Sequence, residues 1–134
     1  MNKSLLPLTK LVLIGTALTL TVFAIIEIFV PSLIRSFLWP LPFEPVPDAW
    51  LRYNALTNIG LVAASVYILR QNDWTAARPY LLSTWILNAL DIVYSVLFAI
   101  TSPVPAILWL YVGLAVIYVV MILVAWRQQS ATSP

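Results

Sequence analysis

The chain has 134 residues, of which 62% are hydrophobic and only 9% are charged, and its mean hydropathy is +0.96. A typical soluble domain carries about 25% charged residues, so lipid must be the solvent for most of this surface. The net charge is +2 and there is no basic run, which gives no indication of a nucleic-acid partner. Cysteine is absent, which excludes disulfides and thiolate metal sites. Histidine is also absent, which argues against direct haem ligation. We therefore expect no ligated cofactor, while a bound lipid, quinone or pigment stays open.

The first apolar segment, residues 11–30, is predicted to span the membrane. A spanning helix needs about 20 apolar residues to cross a hydrocarbon core of about 30 Å. Lys3 and Lys10 precede the segment and resemble the start of a signal peptide, but the apolar run continues well past Ala24. We therefore expect a retained span and not a cleaved leader.

The first loop is the longest connection, and two features are predicted in it. A short amphipathic helix in the membrane interface is expected over residues 32–39, because four apolar side chains share one helical face. These are Leu33, Ile34, Phe37 and Leu38. Four prolines then follow within residues 40–47, which favours a stiff, extended cap over the bundle.

Three further spans are predicted at residues 50–69, 80–100 and 106–126. Backbone polar groups in lipid must be satisfied within the segment, so each span should be helical. The connections after the second and third spans are short, so consecutive helices should be antiparallel neighbours. The polar tail from residue 128 onward is expected to fray. The sequence thus predicts one all-α domain over residues 1–134, a four-helix transmembrane bundle.

The distribution of cations predicts the orientation of this bundle. If the spans alternate, five of the seven cations lie on one side of the membrane: Lys3, Lys10, Arg70, Arg78 and Arg127. Only Arg35 and Arg52 lie on the other side. The positive-inside rule then predicts that both termini are cytoplasmic, with Trp74 and Trp126 at the inner interface. We expect an integral protein of the bacterial plasma (inner) membrane.

Several polar side chains fall inside the predicted spans. An ionisable group at the centre of a span costs at least about 2.5–3.5 kcal/mol on insertion scales, so it needs a partner, a cavity or a functional reason. Helical spacing places these side chains on inward faces. They are expected to gather in the outer half of the bundle: Glu27, Arg52, Asn54, Asn58, Asn88, Asp91, Tyr94 and Tyr111. The inner half is expected to be almost purely apolar.

Three hypotheses can explain this polar cluster. In the first it is structural: Arg52 pairs with Glu27, Asp91 or both, and asparagine side chains complete the hydrogen bonds between helices. In the second it is an outward-facing pocket for a polar head group, a quinone or a proton. In the third it is catalytic, with two carboxylates that divide the roles of acid and base.

Weaker signals come from glycine and aromatic residues. One glycine in each of three spans is expected to permit close helix packing. These are Gly15, Gly60 and Gly113. Trp85, Tyr111 and Tyr118 are candidates to line a ligand slot, although such residues more often belong to the core or the interface.

The start of the second span carries a resemblance to a known family. It reads Leu51-Arg52-Tyr53-Asn54 and is followed by Gly60. With four spans and a longer first loop, this charged and aromatic start resembles the DoxX-like small four-span membrane proteins, some of which are described as subunits of terminal quinol oxidases. Asn54 and Ala55 stand where that family would have a pair of glycines.

The small size, the missing redox ligands and the aromatic-rich surfaces favour a non-catalytic accessory or structural subunit of a larger energy-transducing or transport complex. Its partners would be the lipid bilayer and either that complex or further copies of itself. The alternative is a stand-alone binder of a small hydrophobic molecule. A third hypothesis is a membrane isomerase or a proton-coupled exporter, because the chain also resembles the small multidrug exporters in length and in a first-span glutamate, here Glu27.

Overall fold

The computed structural model describes residues 4–38, 48–101 and 106–131, and its regular structure over these ranges is entirely helical. Five helices follow one another along the chain: α1 (Pro7–Phe29), α2 (Pro31–Leu38), α3 (Asp48–Gln71), α4 (Trp74–Thr101) and α5 (Ala106–Ala131). The predicted all-α class is therefore confirmed. The predicted proline-rich cap falls on residues 39–47, outside the described residues.

Three of these helices are long and apolar enough to cross a membrane, namely α1, α4 and the part of α5 from Leu108 onward. The chain is thus an integral membrane protein. Helix α3 has 24 residues and similar length, but it is not among the three. It is less apolar because its first turns carry Arg52, Asn54 and Asn58 and its last turn carries Arg70. The four-span count stays a prediction.

Helix α4 begins at Trp74, whereas the predicted span begins at residue 80. The helix begins early because Asp73 Oδ1 accepts a hydrogen bond of 3.1 Å from the backbone N–H of Thr75, which satisfies a donor of the first turn. Pro79 consequently lies inside the helix and not at its start.

The helices form a ring in the order α3, α1, α5, α4. Helix α1 packs along both α3 and α5, and α4 packs along α5, whereas α3 and α4 touch only briefly. Over the described residues, the backbones of α1 and α4 do not come close to each other, and neither do those of α3 and α5. The turn between α3 and α4 uses Asn72 with a φ of 51°, a left-handed conformation that asparagine tolerates better than most residues.

The apolar core lies at the end of the bundle that contains the start of α1, the turn between α3 and α4 and the end of α5, here called the termini end. Its buried side chains are Leu5, Val12, Leu13, Ile68, Trp74, Ala77, Leu81, Ile122 and Ala125. The same half also buries Thr9, Ser65 and Gln129. Thr9 and Gln129 lie beyond the predicted spans, where backbone groups at the helix ends require polar partners, so the apolar inner half of the bundle stays a prediction.

The opposite end of the bundle, here called the loop end, contains α2 and the start of α3. Helix α2 confirms the short helix that was predicted in the first loop. Its Ile34 is buried and its Leu33 is exposed. Helix α2 contacts α1, α3 and α5, so it closes this end of the bundle.

The three glycines do not mark close contacts between the helices. No heavy atom other than those of the local helix lies within 4 Å of where a Cβ would stand at Gly15, Gly60 or Gly113. The prediction that they permit close packing is wrong for contacts within the described part of this chain.

Candidate functional site

Glu27 lies in the last turns of α1 and is only 4% exposed. Its Oε1 accepts a hydrogen bond of 2.7 Å from Asn54 Nδ2, and its Oε2 accepts one of 2.9 Å from Asn58 Nδ2. The two asparagines are one turn apart on α3 and therefore share a face. One carboxylate thus joins α1 to α3 at the loop end.

Arg52 does not join this group. It is exposed, and the described part of the chain contains no ion pair between Arg52 and either Glu27 or Asp91. At about 100° per residue, Arg52 lies about 200° around the helix from Asn54, so it points away from α1. The predicted ion pair is wrong, because asparagine amides take the place of the guanidinium. A role for Arg52 in binding stays a prediction.

The second carboxylate is held by a different pair of helices. Tyr111 on α5 donates its hydroxyl hydrogen to Asp91 Oδ2 on α4. The backbones of α1 and α4 do not come close to each other over the described residues, and Glu27 and Asp91 form two groups, each with its own hydrogen-bond partners.

The remaining predicted side chains are engaged locally. Asn88 donates from Nδ2 to the backbone carbonyl of Thr84, one turn earlier in α4, at 2.7 Å. Tyr94 is exposed and stacks on Phe98, with ring centroids 6.4 Å apart and planes 15° apart. Neither side chain bridges to another helix through these contacts.

Two tyrosines that the sequence reasoning did not place in the cluster join further helix pairs. Tyr80 on α4 lies 2.6 Å from Ser65 Oγ and donates to the Leu61 carbonyl at 3.1 Å, which joins α4 to α3. Tyr118 on α5 donates to the Val12 carbonyl at 3.1 Å, which joins α5 to α1. These hydroxyls therefore connect helices that the carboxylates do not.

Gln129 is the most connected of the buried polar residues, and it is 1% exposed. Its Oε1 accepts from the Leu6 N–H at 2.8 Å and from Thr9 Oγ1 at 3.2 Å. Its Nε2 donates to the Ser4 carbonyl at 3.0 Å. A single amide thus fixes the start of α1 to the end of α5. The predicted fraying is wrong for residues 128–131, because α5 continues to Ala131, and residues 132–134 lie outside the described residues.

The sequence does contain a signal for this role. Gln129 follows the fully buried Ala125 by four residues and the buried Ile122 by seven, so all three share one helical face. Asn72 was also missed; its Oδ1 accepts from the Leu5 N–H at 3.2 Å. Both were overlooked because polar residues beyond a span were expected to face water.

Each neighbouring pair of helices in the ring is thus joined by at least one side-chain hydrogen bond. In the described ranges, no group of three or more acidic residues is placed to hold a metal ion. The Trp85 indole Nε1 is buried and has no hydrogen-bond partner among the described residues. The arrangement can hold helices together, and it leaves this one indole N–H for a further acceptor.

Comparisons with models of protein families, with curated proteins and with solved structures find no match. The DoxX-like resemblance therefore stays a prediction.

Proposed function

We propose that this chain is a small non-catalytic subunit of a larger membrane complex. The observation that supports the proposal is that the buried polar side chains hydrogen-bond to one another between adjacent helices and do not converge on one site. Both oxygens of the Glu27 carboxylate have amide partners, and Asp91 has the Tyr111 hydroxyl. Such groups stabilise a bundle by about 0.6 kcal/mol per interhelical bond on average.

The outer surface of the bundle is compatible with this role. Large apolar side chains on α4 and α5 remain exposed in the isolated chain, among them Leu90, Leu97, Leu110, Leu114 and Ile117. A surface of this kind suits lipid chains and the helices of a partner equally well, so a larger complex can form without rearrangement of the bundle.

We further propose four spans with both termini in the cytoplasm. The bonds from Gln129 to Ser4 and Leu6 support this topology, because they hold the two ends of the chain at the same end of the bundle. Two ends on one side require an even number of crossings, so α3 would be the fourth span. The cations Arg70 and Arg127 at this end favour the cytoplasmic side.

Single-cysteine labelling tests the topology cleanly, because the chain has no cysteine of its own. Ser4→Cys and Ser130→Cys probe the termini end, and Ala49→Cys probes the loop end; all three positions are exposed. With a membrane-impermeant maleimide on intact cells, only Ala49→Cys should react before permeabilisation. Opposite labelling of the Ser4 and Ser130 variants would contradict an even number of crossings.

The partner proposal follows from the DoxX-like resemblance at Leu51-Arg52-Tyr53-Asn54. It predicts association with an energy-transducing or transport complex of the bacterial plasma membrane, such as a terminal quinol oxidase. Association with a complex would also explain why so short a chain carries no redox ligand of its own.

Purification of the tagged chain from its native membrane in mild detergent tests the partner proposal. A stoichiometric set of larger membrane proteins in native mass spectrometry is expected, and Glu27→Ala should weaken it because two asparagine amides lose their acceptor. Thr21→Ala is the matched control, since Thr21 is exposed and bonds only to the Ala17 carbonyl of its own helix. Recovery of a lone 15.0 kDa chain or a homodimer would contradict the subunit role.

Binding of a small hydrophobic molecule is the second candidate, and the buried Trp85 indole favours it. Its N–H has no acceptor among the described residues, and a quinone carbonyl is an acceptor of suitable chemistry. Trp85 and Asp91 both lie on α4, and Tyr111 lies on the neighbouring α5. A quinone titration followed by tryptophan fluorescence should saturate in the wild type and fail in Trp85→Phe; equal titrations would exclude this site.

A further inference from the structure

The termini end carries a cluster of aromatic and cationic side chains that the proposed subunit role does not use. Trp126, near the end of α5, meets Trp74 edge to face, with ring centroids 5.2 Å apart and planes at 73°. The Arg78 guanidinium carbon lies 5.5 Å from the centroid of the Trp126 ring, within the range of a cation–π interaction. Tryptophan rings of this kind concentrate at the level of lipid head groups.

The positive charge at this end is not neutralised within the described residues. Arg70, Arg78 and Arg127 are exposed, and none of them forms an ion pair or a hydrogen bond with the described residues. Asp73 is the acidic residue there, and its Oδ1 already accepts the Thr75 N–H. Arginines at one end of a membrane bundle that have no carboxylate partner attract anionic groups.

Two of these arginines share a helical face with exposed apolar side chains, which we call apolar stripes. Leu82 follows Arg78 by four residues on α4, and Leu123 precedes Arg127 by four residues on α5; both leucines are exposed. Residues four apart share a helical face, so each stripe runs from a guanidinium toward the middle of the bundle. This pattern suits a molecule with an anionic head group and apolar chains. A free anion has no apolar part that could pack on these leucines.

We propose that Arg78 and Arg127 bind the phosphate of an anionic phospholipid, whose acyl chains lie along the exposed apolar side chains of α4 and α5. A guanidinium that stacks on an aromatic ring keeps its edge N–H groups available for two phosphate oxygens. Trp126, which packs against Trp74, would hold Arg78 at the level of the head groups. The proposal depends on the membrane setting of the chain and not on its role as a subunit.

Native mass spectrometry of the full chain, released from detergent with equal amounts of phosphatidylglycerol and phosphatidylcholine, tests the proposal. The wild type should retain phosphatidylglycerol preferentially. Arg78→Gln and Arg127→Gln should each reduce that retention about fivefold. Gln71→Ala is the matched control, because Gln71 is exposed at the same end of the bundle but carries no charge, and it should change nothing.

Equal retention of the two lipids by the wild type would overturn the proposal, as would an equal loss in Gln71→Ala. Displacement of the lipid by excess inorganic phosphate would also overturn it, because the site would then recognise a free anion. If Arg78→Gln fails to fold, Arg127→Gln still decides the question, since Arg127 contacts neither tryptophan ring through a cation–π interaction in the described structure. Arg78→Lys should retain the lipid more weakly than the wild type, because it keeps the charge and loses the planar fork.

Discussion

The two ends of the bundle bury polar groups of different kinds. At the termini end the buried group is the neutral amide of Gln129, which both donates and accepts and bonds mainly to backbone groups at the start of the chain. At the loop end it is the carboxylate of Glu27, which accepts from two asparagine side chains. The termini end also contains the apolar core.

This difference has an energetic consequence. An amide carries both a donor and an acceptor, so it can match backbone N–H and carbonyl groups and be buried at little cost. The Glu27 carboxyl accepts from two side-chain amides and satisfies no backbone group at a helix end in the described structure. We therefore expect the termini end to supply most of the stability of the bundle, while the loop end is the more easily perturbed half.

The largest expected effect comes from the core of the termini end. Leu81→Ala removes a side chain that is 0% exposed and should lower the free energy of unfolding by about 2–4 kcal/mol through the cavity that it leaves. Leu82→Ala is the matched control, because the neighbouring leucine is exposed. Unfolding in mixed detergent micelles, followed by circular dichroism, measures both; similar losses in the two variants would contradict the assigned core.

The next effect comes from the Gln129 amide. Gln129→Ala leaves the Leu6 N–H and the Ser4 carbonyl without their partner, which should cost about 1–3 kcal/mol. Ser130→Ala, at an exposed neighbouring position, should be neutral. Amide hydrogen exchange of the first turn of α1 should rise in the Gln129 variant alone, and unchanged exchange would show that the amide does not fix the start of the chain.

A smaller effect is expected where α3 meets α4. Tyr80→Phe removes the bonds to Ser65 and to the Leu61 carbonyl, and such interhelical bonds are worth about 0.6–1.7 kcal/mol. Tyr67→Phe is the control, because Tyr67 is exposed. Since α3 and α4 share few other contacts, chemical cross-linking between them should also fall; a Tyr80 variant as stable as the control would contradict this contribution.

The smallest expected effect comes from Gly60, and it tests whether another helix of this chain packs against that position. Gly60→Ala places a methyl group in open space, and alanine is favoured over glycine in a helix by about 0.8–1.0 kcal/mol. The isolated bundle should therefore become slightly more stable. Measured destabilisation of the purified chain would mean that another helix of the same chain packs there.

The fold was largely predictable, because long apolar segments and their bounding prolines fix helices directly. Residues 11–30 and 106–126 fall almost entirely within α1 and α5. Helix α3 was harder, since two asparagines and an arginine in its first turns lower its hydropathy while its inward face still buries Leu51 and Ala55. Length and composition alone do not predict whether the low hydropathy of α3 or its buried face decides if it spans the membrane.

The polar contacts were less predictable. Helical spacing correctly placed Asn54 and Asn58 on one face, and they do bond to Glu27. It could not give the order of the helices around the bundle, so Arg52 was assigned to carboxylates that it does not pair with in the described structure. Gln129 was missed because polar residues beyond a span were expected to face water, although it shares a helical face with the buried Ala125 and Ile122.

A double-mutant cycle between Glu27 and Asn58 tests most directly whether the buried polar groups hold the helices together. The free energies of unfolding of Glu27→Ala, Asn58→Ala and the double variant are compared with that of the wild type in the same micelles. A direct bond predicts a coupling energy of about 0.6–1.7 kcal/mol, with the double variant less destabilised than the sum of the two single variants. Effects that add to within about 0.3 kcal/mol would contradict the account, because the carboxylate and the amide would then act independently.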